Sequence, residues 1–262
     1  MKTRLLYLEN PSILTWRSEV LEIIFTEPSR VSIVLNETPF FPKGGGQPGD
    51  VGQIEGPDFK MRVEQVALDA GEVVHRGIVN AGEVPAIGTT VWASVDHEHR
   101  WLTSRTHTGG EIICAAVHEL GKRWVVSAAG HVPGQSRVAF LAPDLSEADT
   151  TAFAQKLEGA IAAIIERDDD VRTYLNVPHA EVRRLCPLES LDHLPNGTPI
   201  RLVSPVPNFY RPCSGAHVAH TGQVGRVVFR RVRLRKGELS ITYDVEHTEK
   251  SRQADDATVG CV

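Results

Sequence analysis

No two of the four cysteines form a CxxC pair; Cys114, Cys186, Cys213 and Cys261 are scattered along 262 residues. The opening residues, MKTRLLYLENPSILTW, lack both a long apolar run and a small-residue cleavage site, so no secretory leader is expected. Together these features point to a reducing, cytoplasmic setting in which the thiols stay reduced and one is available as a ligand. No apolar run reaches roughly 18 residues, so no membrane span is expected. Positive charge is not in excess: 28 Lys and Arg face 33 Asp and Glu, a net charge of -5. No overall basic field draws the chain to nucleic acid, and any such binding must use a local patch. HExxH and GxxxxGK[ST] are both missing, which leaves zincin protease and P-loop readings without support. There is no internal repeat and no low-complexity tract.

What is present is an ordinary globular composition, 41% hydrophobic and 23% charged, enough for one large or two modest domains. The first part reads as β-rich. Val31, Ile33 and Leu35 alternate along RVSIVLNE, the period of a half-buried strand. KMRVEQVAL, EVVHRGIV and TTVWASVD are further strand candidates. Between them FFPKGGGQPGDVGQIEG reads as a loop, because glycine permits positive φ and close backbone approach while Pro42 and Pro48 forbid regular structure. The second part opens on a helix, with Thr103 or Ser104 as its cap and Ile112, Ile113, Ala116, Val117 and Leu120 at helical spacing. Gly121 is placed to end it. DHEHR, 96–100, reads as the approach to that helix. A second helix follows Ser146, with Phe153, Leu157, Ile161, Ile164 and Ile165 on one face, then strands VRTYLNV and IRLVSPV, then a hairpin turning at Lys236-Gly237. The expected class is α+β: a small β-barrel-like domain over 1–92, a two-layer α/β domain over 93–247, and a polar, aperiodic tail over 248–262.

Two short stretches carry the chemistry. His107 and Glu111 in HTGGE stand four apart on the first helix, so they project from one face. Cys213 and His217 in CSGAH have the same spacing, where Gly215 argues for a turn. Thiolate, imidazoles and carboxylate together suit tetrahedral Zn²⁺. By spacing alone each pair reads equally as helix surface or as a local side-chain pair. Cys114 reads as a small core residue, His118 lies about two turns past Glu111 and too far to share its ion, and His220 is expected to face solvent.

Four segments resemble the alanyl-tRNA editing proteins (the AlaX family) and the editing domains of alanyl- and threonyl-tRNA synthetases. FFPKGGGQPGDVGQI is similar to the family's F-Y-P-x-G-G-G-Q-P-x-D-x-G. RTHTGGEI stands where the family has H-T-A-x-H, and CSGAHVAHTGQVG resembles C-G-G-T-H-V-x-x-T-G-E-I-G. SRVAF, 136–140, resembles S-R-x-D-F. The resemblance implies zinc held by His107, Cys213 and His217, with Glu111 where the second family histidine stands. Ala139 replaces the family aspartate, and Ser214 and Ala216 alter the small residues around the cysteine.

Glu111 has two readings under that resemblance. As the fourth ligand, the expectation because the family has a ligand at this position, it makes the centre neutral and a weaker Lewis acid. Unligated, it leaves a water position open and serves as general base there. The implied reaction is hydrolysis of mischarged tRNA, seryl- and also glycyl-tRNA for alanine. Thr108 and Gln47 are candidates to bind the serine hydroxyl, and Gly44, Gly45 and Gly46 to approach the substrate. With no aminoacylation domain expected in the chain, editing is expected to act in trans. Arg231, Arg233 and Arg235 fall on one strand face opposite Val232 and Leu234. That stripe reads either as a phosphate track or as a solvated face. A competing reading is a homologue that binds tRNA or an amino acid without cleaving it, Glu111 and Ala139 marking the loss. Nothing in the sequence sets an oligomeric state.

Overall fold

The computed structural model describes residues 3–27, 29–189, 200–249 and 251. Most of the expected tail over 248–262, with Cys261, lies outside the described residues. The described elements run β1 (Arg4–Leu5), α1 (Leu6–Glu9), β2 (Thr15–Glu27), β3 (Arg30–Leu35), β4 (Glu37–Thr38), β5 (Gly52–Gly56), β6 (Phe59–Asp69), β7 (Glu72–Gly82), β8 (Thr90–Val95) and α2 (His97–Glu119). Then come β9 (Val125–Gly130), β10 (Ser136–Leu141), α3 (Thr150–Arg167), β11 (Arg172–Val177), α4 (His179–Leu185), β12 (Ile200–Val206), β13 (Phe209–Pro212), a 3₁₀ turn (Thr221–Val224), β14 (Arg226–Arg235) and β15 (Glu238–Glu246). The class is α+β, with a closed barrel first. The chain divides into two compact units, Met1–Leu102 and Thr103–Val262.

In the first unit β2, β3, β7, β6, β5 and β8 close an antiparallel barrel. Closure leaves no edge strand to be covered. Inward residues at every second position, including Val20, Ile33, Leu35, Ile54, Met61, Val63, Val91 and Ala93, form its core. Two of the six barrel strands go beyond the sequence reading: β2, and β5, which lies inside the stretch read as one loop. The glycine run itself is a tight turn. Gly44 N–H donates to the Gln47 carbonyl at 3.1 Å and Gln47 N–H to the Gly44 carbonyl at 2.9 Å, with φ of 55° and 77° at Gly45 and Gly46. Two successive left-handed residues explain why glycine stands there. The loop is anchored by Asp50, which is fully buried, accepts the Phe41 N–H at 2.6 Å and pairs with Arg100. Arg100 also donates to the Pro11 and Pro39 carbonyls, each at 2.7 Å.

The long helix is capped seven residues earlier than the Thr103 expectation. Asp96 caps it, its Oδ1 accepting the His99 N–H at 2.8 Å, so 97–100 is the first turn rather than an approach. Thr103 and Ser104 are buried inside the helix. Its end is as expected. Gly121, at φ 78°, lets its own N–H reach the His118 carbonyl and the Lys122 N–H reach that of Val117.

In the second unit β14, β15, β10 and β9 form one antiparallel sheet, and β11, β12 and β13 another. The hairpin turns at Lys236-Gly237, both left-handed. Leu239, Ile241 and Tyr243 of β15 face the core with Val138 and Phe140 of β10. Helix α2 comes close to this sheet: a Cβ on Gly109 would lie 3.0 Å from Val245 and 3.5 Å from Val227. Helix α3 buries Phe153, Leu157, Ile161 and Ile164, with Ile165 only half-buried. No helix among the described residues is long and apolar enough to cross a membrane.

Candidate metal centre

His107, Cys213 and His217 converge: one ligand atom from each lies within 4.8 Å of the other two. Cys213 Sγ is 3.4 Å from His107 Nε2 and 3.3 Å from His217 Nε2. With bonds of about 2.3 Å to sulfur and about 2.0 Å to nitrogen, a tetrahedral zinc spaces such atoms by about 3.5 Å. The donor set and its spacing therefore fit the ion.

The helix supplies His107 and, one residue on, the group that orients His217. Thr108 Oγ1 donates to the Ser104 carbonyl at 2.9 Å and accepts the Val218 N–H at 3.3 Å. Its remaining contact, 3.1 Å from His217 Nδ1, must therefore accept an N–H. That assigns the proton of His217 to Nδ1 and turns the Nε2 lone pair toward Cys213, the role a supporting hydrogen bond plays for a ligating histidine. Thr108 is fully buried with its hydroxyl committed in this way.

The loop that carries Cys213 and His217 is shaped by Arg201 of β12, a residue absent from the sequence reading. Its Nη1 donates to the Cys213 and Gly215 carbonyls at 2.8 and 2.9 Å, while Cys213 N–H donates to the Arg201 carbonyl at 3.1 Å. The Gly215 N–H points at Sγ, 3.4 Å away. Burial drives the Cys213 thiol up to about 12, with Glu111's charge adding to it. Burial also holds His107 and His217 well below the ordinary imidazole value. Two neutral imidazoles and a thiol are thus the resting set, and a cation would take the thiol proton's place.

A third imidazole lies beside the cluster. His131 stacks on His107, ring centroids 4.2 Å apart and planes 17° off parallel. Its Nδ1 is 2.8 Å from Tyr243 Oη, which donates to the Thr106 carbonyl at 2.9 Å, so Nδ1 carries the proton. Burial, then the charge of Arg211, lowers its pKa to about 4. Gly110 makes room for this stack: a Cβ there would sit 2.4 Å from His131 and 2.6 Å from Tyr243 Oη. In the sequence His131 stands alone, without a partner at ligand spacing, and nothing flagged it.

Glu111, expected as the fourth ligand, is not among the converging atoms. Its Oε1 is 3.8 Å from His107 Nε2, while its Oε2 is 3.0 Å from Arg211 Nε. Burial raises its pKa, and the Arg211 charge opposes that rise. Arg211 also reaches Glu189 at 3.3 Å.

The remaining candidates are not among the converging atoms. Gly44, Gly45, Gly46 and the buried Gln47 belong to the turn of the first unit. Arg231, Arg233 and Arg235 are exposed on the face of β14 that pairs with Thr242, Ser240 and Glu238. Together with Arg137 they line a hollow on that sheet face. Ala139 is fully buried in β10 between Ala128 and Ser240. Cys114 is buried, His118 lies against Phe209, and His220 pairs with Asp170 at 3.3 Å on the surface.

Comparison with known proteins joins these observations. Residues 13–99 match the family model of class II tRNA synthetases (A). The alanine–tRNA ligase of Saccharopolyspora erythraea is 30% identical over 201 residues, 76% of this chain and 22% of the ligase. That of Renibacterium salmoninarum is 31% identical over 227 residues, 86% of this chain and 24% of the ligase. The alanyl-tRNA editing protein AlaX-L of Pyrococcus horikoshii is 43% identical over 94 residues, 36% of this chain and 23% of that protein. The chain thus spans less than a quarter of the length of these relatives. By these matches the chain is a homologue of alanine–tRNA ligases and of the alanyl-tRNA editing protein AlaX-L.

Proposed function

We propose that the chain is an aminoacyl-tRNA hydrolase that removes serine, and also glycine, from mischarged alanine tRNA at a zinc site. The observation that carries this reading is the convergence of His107, Cys213 and His217 from segments 106 residues apart in sequence, in a homologue of an alanyl-tRNA editing protein. His107, Cys213 and His217 hold the ion. When bound, zinc supplies positive charge to polarise the ester carbonyl or a water.

The protein's own groups do the rest. Thr108 fixes the tautomer of His217 rather than meeting substrate. Arg201 and the Gly215 N–H hold the cysteine loop in its ligating form. Glu111, beside His107 and with its proton affinity raised by burial, is placed to take a proton from an attacking water. An aminoacyl ester is already activated, so placement and one proton acceptor suffice. In the same reading the glycine turn, Gly44–Gly46 with Gln47, meets the substrate, and Arg231, Arg233 and Arg235 track tRNA phosphates.

The test is a deacylation time course with seryl-, glycyl- and alanyl-tRNA for alanine and seryl-tRNA for threonine. Release of serine from the alanine tRNA that Cys213→Ala abolishes is the expected result. No release from any of the four by folded, zinc-loaded protein overturns the hydrolase and leaves a tRNA or amino-acid binder.

A further inference from the structure

We infer that Arg211 holds Glu111 out of the coordination sphere, so that the metal centre takes three ligands from the protein and keeps its fourth position open. This deepens the metal reading proposed above and rests on it.

The helix spacing that makes Glu111 resemble a ligand also makes it available to another partner. His107 and Glu111 share one helical face. Arg211 lies in β13 and Cys213, one residue beyond it, extends the pairing through its N–H to the Arg201 carbonyl, so the two residues, two apart, project to the same side. The strand thus delivers a guanidinium and a thiol together, and the guanidinium meets the carboxylate. Glu111 Oε2 lies 3.0 Å from Arg211 Nε, while its Oε1, 3.8 Å from His107 Nε2, is not among the converging ligand atoms. The side chains are only 6% and 12% exposed. Neither Oε2 nor Nε has an aligned hydrogen bond among the described residues, so each depends on the other's charge. Rotating the carboxylate so that Oε2 met a metal would leave Glu189 as the buried guanidinium's remaining carboxylate, and stripping a buried ion of its partner is among the costlier changes a protein interior can suffer.

The charge balance agrees. Zinc with one thiolate carries +1; a ligating Glu111 would cancel it. Paired with Arg211, the carboxylate is already balanced, and the centre keeps its positive charge for the substrate. The pair therefore reconciles a glutamate beside the site with an electrophilic ion.

Cobalt substitution tests this without reference to turnover. Wild type, Glu111→Gln, Arg211→Met and the double variant are titrated with Co²⁺, and the visible d–d and thiolate-to-cobalt bands recorded. Glu111→Gln is expected to keep the wild-type spectrum, with a Kd within about threefold of wild type. Arg211→Met is expected to shift the spectrum as the released carboxylate reaches the ion, and the double variant to restore it. A changed Glu111→Gln spectrum with binding weakened about tenfold or more, the loss typical of a removed partner of the ion, overturns the inference. So does an Arg211→Met spectrum identical to wild type. If Arg211→Met does not fold, Glu111→Gln decides alone. A wild-type chain that binds no cobalt overturns this inference with the metal reading, and deacylation by that same sample then reports separately on the hydrolase.

Discussion

Thr108 Oγ1 lies 3.1 Å from His217 Nδ1 while giving its own proton to the Ser104 carbonyl. One hydroxyl on α2 thereby decides which nitrogen of a histidine 109 residues away in sequence is free to bind a metal. Thr108→Val keeps the shape and removes the acceptor. Zinc affinity is expected to fall by about 10–100-fold, with Thr108→Ser near wild type. Competition with a chromogenic chelator measures this; equal affinity in the valine variant would remove Thr108 from its positioning role.

Gly110→Ala is expected to disturb the imidazole stack. The added methyl would lie 2.4 Å from His131 and 2.6 Å from Tyr243 Oη, so both must move. A cost of about 1–3 kcal/mol is expected, as for overpacking elsewhere. The midpoint of urea unfolding reads it, and an unchanged midpoint contradicts the packing described.

The glycine turn of the barrel unit depends on a buried ion pair. Arg100→Leu leaves Asp50, fully buried, without its cation. A loss of roughly 3–5 kcal/mol is expected for a buried charge stripped of its partner. The check is again urea unfolding, and a loss below 1 kcal/mol would mean that water or the Phe41 N–H suffices.

His75 makes stability depend on pH. It is fully buried between Thr38 Oγ1 at 2.8 Å and the Ile33 carbonyl at 2.9 Å, and burial lowers its pKa from 6.5 to about 4. Below pH 6.5 the unfolded chain binds a proton that the folded chain refuses. Stability is therefore whole above pH 6.5 and falls as pH drops toward 4, by about 3 kcal/mol in total. His75→Gln is expected to flatten that slope between pH 6.5 and 4.5; an identical slope in both proteins assigns it to other groups.

If the arginine face of β14 tracks tRNA phosphates, Arg231→Ala with Arg233→Ala should weaken binding of all tRNAs alike. The slope of log affinity against log salt should fall in magnitude by about 2, one unit per lost phosphate contact. Filter binding from low to moderate salt measures it. A slope that does not move returns the stripe to a solvated strand face.

Much of the frame was readable without coordinates. Alternation in RVSIVLNE and its neighbours marked barrel strands, Gly121 marked a helix end, and Lys236-Gly237 marked a hairpin. Each signal is local, set by side-chain period or by a residue that tolerates positive φ. The start of α2 was misplaced because two kinds of cap compete in that stretch and only the fold shows Asp96 in use. Strand β5 was missed because glycines and prolines beside it read as loop.

The amino-acid order by itself determined which residues share a face: His107 with Glu111 on a helix, and Arg231, Arg233 and Arg235 on a sheet. It could not determine whom those faces meet. The family resemblance implied that Cys213 and His217 join His107, and the tertiary structure brings the three together; only the tertiary structure laid His131 on His107, tied the cysteine loop to Arg201 and gave Glu111 to Arg211. Periodicity is a property of neighbours within about a turn of chain, whereas a partner more than a hundred residues away is chosen by how elements pack.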